Sequence, residues 1–76
     1  MTRLPGLKPR EVVTALERAG FKLIRQRGSH RIYVKGTTGV TVPWHPGDLR
    51  RATLHQIIKQ SGLTLDEFLK LLRRTS

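Results

Sequence analysis

Phe21-Lys22-Leu23-Ile24-Arg25-Gln26-Arg27-Gly28-Ser29-His30-Arg31-Ile32-Tyr33-Val34-Lys35-Gly36 is the stretch whose reading decides the fold. Its residues alternate with period two on both sides of Gly28-Ser29, the signature of two strands rather than a helix. Gly28-Ser29 has the composition of a two-residue II′ turn, glycine supplying the positive φ at its first central position. The turn sets Arg27 across from His30, Arg25 from Ile32, Leu23 from Val34 and Phe21 from Gly36 on one face, expected to be the core side and to end in the Arg–His pair. On the other face, expected to be outer, Lys22 opposes Lys35 and Gln26 opposes Arg31, with Ile24 and Tyr33 between them. Thr37-Thr38-Gly39 fits a three-residue loop with a left-handed Gly39, which would pair Val34 with Val42 and Ile32 with Trp44. Pro43 lacks a ladder donor, so the third strand is expected at an edge and the second in the centre.

Upstream, Pro9 to Ala19 places Val12, Val13, Leu16 and Ala19 on one helical stripe, with Pro9 in the first turn and Gly20 suited to the position after the cap. Downstream of His45-Pro46-Gly47, Thr53-x-x-Gln56 and Thr64-x-x-Glu67 both have the form of capping boxes that open apolar helical runs. The first run, from Leu54 to Gln60, is expected to stop near Gly62. The second, from Leu65 to about Arg73, carries Phe68, Leu69 and Leu72 at helical spacing. The order is α-β-β-β-α-α, a small α+β fold. A chain of 76 residues has room for one core, so residues 1–76 are read as a single domain.

Fifteen Lys and Arg against five Asp and Glu give a formal net charge of +10, which points to an anionic partner. The apolar share of 37% is low, yet its regular spacing argues for a folded domain and against a basic tail. With no cysteine, disulfide scaffolds, zinc knuckles and thiol nucleophiles are excluded. The start MTRLPGLK has no apolar signal region and no stretch is long enough for a membrane span, so a cytoplasmic protein without membrane contact is expected. No cofactor is expected. His30, His45 and His55 fall on a strand, after an edge strand and on a helix without ligand spacing, and no metal site is expected from them.

From Arg18 to Gly47, both included, there are six cations and no carboxylate. Lys22, Arg25, Arg27, Arg31 and Lys35, with Tyr33 among them, have the composition of an RNA-contacting face; a merely solvated basic face is the competing reading. His30 reads as a polar rim residue or, beside the Gly28-Ser29 turn and across from Arg27, as a general acid–base group for RNA cleavage without metal. His45 reads as a turn residue or a further RNA contact. Trp44 reads as core or rim, and His55 as exposed.

The run Arg25 to Tyr33, followed by Val40-Thr41-Val42-Pro43-Trp44-His45 and by Gln56 to Thr64, resembles the HicA toxins of bacterial toxin–antitoxin pairs. The likeness covers nearly the whole chain, departing at the added helix after Leu65 and at Trp44, where the related pattern often has a basic residue. It implies a fold similar to double-stranded-RNA-binding domains, an mRNA-cleaving activity and neutralisation by a HicB-like antitoxin. The family's catalytic His matches His30, and Gly28 and Ser29 complete its motif. A catalytically silent RNA-binding module is the alternative, and an adaptor for an acidic protein a third class.

Overall fold

Helix α1 (Pro9–Arg18) ends where the sequence passes from helical to strand period. Gly20 takes φ 104° just beyond the Ala19 cap; its N–H donates to the Glu17 carbonyl, and the N–H of Phe21 donates to that of Leu16. These two bonds make a Schellman closure that satisfies carbonyls left over at the helix end, and the buried Leu16 and Phe21 lie at its two poles. The computed structural model describes residues 4–73; residues 1–3 and 74–76, the extremities of the expected domain, lie outside the described residues.

After α1 come β1 (Lys22–Arg27), β2 (His30–Lys35), β3 (Thr38–Pro43), α2 (Arg51–Ser61) and α3 (Leu65–Arg73). The fold is the α+β arrangement α-β-β-β-α with an additional C-terminal helix. One antiparallel sheet has the order β1-β2-β3, so β2 is central and Pro43 sits on an edge strand. Near the first turn the pairs Arg27–His30, Gln26–Arg31 and Arg25–Ile32 follow the sequence register. A bulge between Leu23 and Arg25 then shifts β1, so that Leu23 meets Tyr33 and Lys22 meets Val34; the expected Leu23–Val34 and Lys22–Lys35 pairs do not form.

The second hairpin departs from the expected one throughout. Lys35 pairs with Thr38, Val34 with Gly39, Tyr33 with Val40, Ile32 with Thr41 and Arg31 with Val42, which leaves a two-residue turn at Gly36-Thr37. Gly36 carries the positive φ, 60°, and Gly39 is an ordinary strand residue. Because side chains alternate with period two, the shorter loop brings the other face of β2 beside the same core-directed face of β3. Val40 and Val42 lie on that face, beneath β2 residues Arg31 and Tyr33 rather than beneath Ile32 and Val34. Helices α1 and α2 cover β3, and α3 lies against α1. The centre is built from Tyr33, Val40, Val42, Leu16, Ile57 and Phe68, each about 1% exposed or less.

Strand β1 lies beyond this cover and is exposed along its whole length, including Leu23 and Ile24. Helix α2 starts three residues earlier than Thr53 implies: Arg50 occupies the N-cap without a side-chain bond, so the Thr53-x-x-Gln56 box is not the start. The preceding segment determines the entry instead, with the Leu49 N–H donating to the Leu7 carbonyl at 2.8 Å and Arg51 Nη1 donating to the Leu4 carbonyl at 2.9 Å. The Thr64-x-x-Glu67 box does form. The Thr64 N–H donates to Glu67 Oε1 at 2.8 Å and the Glu67 N–H to Thr64 Oγ1 at 3.1 Å.

Candidate functional site

The Gly28-Ser29 turn places His30 at the first position of β2, directly across the ladder from Arg27. Gly28 holds φ 56° with nothing within 4 Å of where a Cβ would sit, so the residue type answers to backbone conformation and not to space. The turn is tied to the third strand, because the Trp44 N–H donates to the Ser29 carbonyl just past the His30–Pro43 pair. His30 is thereby fixed between two neighbouring strands while its side chain is exposed.

Pairing assigns each cation to a face. Arg25, Arg27 and His30 share the side of the sheet that carries Ile32 and Val34, and Lys22, opposite Val34, lies on that side as well. This is the side away from the helices. The expectation that Arg25, Arg27 and His30 close the core side is therefore corrected: the Arg–His pair heads the solvent face.

Tyr33 and Arg31 move the other way. Tyr33 is 1% exposed in the core, so its ring offers no platform to an RNA base, and its expected place on the outer face is corrected. Arg31 is half-buried on the helix side, its guanidinium carbon 3.7 Å from the centroid of the Trp44 ring, and its Nε is buried without a hydrogen-bond partner among the described residues. Burial of part of a guanidinium is offset by the indole's π-face, a contact worth about 0.5–2 kcal/mol according to its exposure. Lys35, opposite Thr38, also falls on the helix-side face, at the far end of β2, and its stem runs past Gly20. The five expected cations thus divide into Lys22, Arg25 and Arg27 on one face and Arg31 and Lys35 on the other.

His45 follows β3, and its Nδ1 lies 3.0 Å from the Pro46 carbonyl oxygen. A carbonyl only accepts, so Nδ1 carries the proton in this contact and Nε2 of the neutral ring is left as an acceptor. His55 is exposed on α2. Among the described residues no group of three or more His, Cys, Asp or Glu comes together as a metal site. Two further cations serve the fold: Arg18 Nη1 donates to the Leu71 carbonyl at 2.7 Å at the end of α3, and Arg51 is held by Leu4. Lys8 and Arg10, which no sequence pattern singles out, meet Trp44 and His45 across a cleft because α1 begins beside the end of β3. Contacts between segments that far apart leave no local period to read.

The family model described as the HicA toxin of bacterial toxin–antitoxin systems matches residues 9–63. The chain belongs to the HicA toxin family. The matched span opens at the first residue of α1, takes in the whole sheet with Gly28-Ser29-His30, and closes after α2; α3 lies beyond it. A search of curated proteins finds no match to the chain. Membership of the HicA family implies an antitoxin partner. No described helix is long and apolar enough to cross a membrane.

Proposed function

We propose that this HicA-family chain is an mRNA endoribonuclease that works in the cytoplasm without a metal ion, with His30 as its general acid–base residue. The observation that carries this reading is the exposed His30 opposite Arg27 on the open face of the sheet, with Arg25 two residues along the same strand. Directly opposed residues have Cβ atoms about 5 Å apart, so one phosphodiester can touch both side chains. His30 accepts the 2′-OH proton as that oxygen attacks phosphorus and the bond to the 5′-oxygen breaks. The imidazolium then returns a proton, through water, to the departing 5′-oxygen. Arg27 and Arg25 neutralise the charge that builds on the phosphorane oxygens, the electrostatic part of the catalysis. Lys22 extends the same cationic face along β1. The products are a 2′,3′-cyclic phosphate and a free 5′-hydroxyl, and DNA is inert because it lacks the nucleophile.

A HicB-like antitoxin restrains the activity by covering this face, where an acidic surface would replace the phosphates. The test is cleavage of a defined mRNA in EDTA, with the ends characterised. A positioned acid–base group contributes about 10²–10⁴-fold, so His30→Ala loses that much rate while RNA binding persists. Undiminished cleavage by folded His30→Ala refutes the role of His30. RNA binding without cleavage by the intact chain identifies a silent RNA-binding module instead.

A further inference from the structure

Around the end of the sheet from His30, the first turn of α1 and residues 44–47 enclose a cleft of about 300 Å³. Lys8 and Arg10 at the start of α1, and Trp44, His45 and Pro46 after β3, line it, with no carboxylate among the described lining residues. Cations facing an aromatic plane are the two parts of a site for single-stranded nucleic acid, where phosphate and base are held separately. The volume is at the low end of the range of about 300–1,000 Å³ for small-ligand sites, which suits one nucleotide and no more.

We infer that this cleft is a subsite for the RNA nucleotide flanking the one cut at His30, a refinement that rests on the RNA-cleaving reading above. The connection is covalent as well as spatial. Pro43 pairs with His30, the Trp44 N–H donates to the Ser29 carbonyl, and His45 follows at once. Two residues of extended chain cover about 7 Å, so the cleft opens next to the His30 pair and a strand leaving the sheet face turns over its end into the cleft. Lys8 and Arg10, both exposed, take the phosphate. The base lies against the part of the indole that lines the cleft, while Arg31, 3.7 Å over the ring, holds the indole from the sheet side. In the neutral tautomer that donates from Nδ1 to the Pro46 carbonyl, Nε2 of His45 is an acceptor for a base amino group or a 2′-hydroxyl. Trp44 thus becomes the element that holds the base.

The experiment uses the single tryptophan of the chain as its reporter. A 2′-O-methyl RNA hexanucleotide, which has no 2′-OH to attack, is titrated into the full chain, with Trp44 emission reporting the cleft and anisotropy of an end label reporting binding anywhere. Saturable quenching is expected. In Lys8→Gln/Arg10→Gln the slope of log affinity against log salt becomes shallower by roughly 0.7–1.4, at about 0.7 per phosphate contact. Both positions are on the exposed surface of the first turn, and the emission spectrum without RNA checks that Trp44 is undisturbed. Binding by anisotropy without quenching overturns the subsite and leaves RNA binding at the sheet intact. Quenching of the same affinity and salt slope in the double variant overturns it also. Quenching that depends on Lys8 and Arg10 in a chain that cleaves nothing upholds the subsite and removes the cleavage reading.

Discussion

Replacing Arg25 and Arg27 together by Gln should change how RNA affinity responds to salt, whereas replacing Arg31 should change stability. Arg25 and Arg27 lie on the open face with His30, and each phosphate contact on a single strand contributes about 0.7 to the slope of log affinity against log salt. Losing both makes the slope shallower by about 1.4, so between about 50 and 200 mM salt, a fourfold change, the native chain loses roughly sevenfold more affinity than the double variant. Arg31, stacked on Trp44 on the helix side, is not placed to meet phosphates on that face. Arg31→Gln leaves the slope as it is and forfeits the cation–π contact, about 1 kcal/mol for a half-buried pair. In a domain of this size that lowers the melting temperature by roughly 4–8 °C. The assay is anisotropy with the uncleavable hexanucleotide over the salt series, beside thermal unfolding by circular dichroism. Equal flattening of the slope by Arg31→Gln and by the double variant would show that Arg31 meets RNA and that the assignment of faces is wrong.

Gly36→Ala forces a side chain into φ 60° and should cost about 1–2 kcal/mol in denaturant unfolding, whereas Gly39→Ala, in a strand with open space around it, should cost little; the reverse order would restore the three-residue loop. Thr64→Ala removes one half of the α3 cap and should destabilise by about 1 kcal/mol in the same measurement. Bonds from the Thr64 backbone and side chain hold the Glu67 carboxyl below its ordinary pKa. Its stabilising contribution is therefore complete above the unfolded value, near 4.3, and is lost as pH falls through the lower folded value. Glu67→Gln should abolish that part of the acid sensitivity, which unfolding curves at pH 3 and pH 6 would show.

How far the residues themselves determined this protein can be followed along the sheet. Local chemistry was legible: the helix stop at Gly20, the Gly28-Ser29 turn with its Arg27–His30 pair, and the reciprocal Thr64–Glu67 cap each depend on residues at most five apart. So were the order of elements and the motif around His30 that marks the family. The Gly36-Thr37 turn was misread: it has the same glycine-first form as Gly28-Ser29, but Gly39 competed for the positive φ and a three-residue loop was expected.

Which side of β2 faces the helices was another matter. Ile32 and Val34 on one side look more like core than Arg31, Tyr33 and Lys35 on the other, and alternation alone favours the wrong face. The choice is made by β3, whose Val40 and Val42 must lie against α1 and α2; the two-residue turn then brings Tyr33 and Arg31 down with them. Tyr33 supplies the largest of the fully buried side chains, and Arg31 is accommodated by the Trp44 ring, thirteen positions further along the chain. One residue of loop length inverts every side chain of a strand, so the open face that receives Arg25, Arg27 and His30 was decided by tertiary packing of β3. The cleft between Lys8, Arg10 and Trp44 has the same origin, because only the folded chain brings the start of α1 to the end of the sheet.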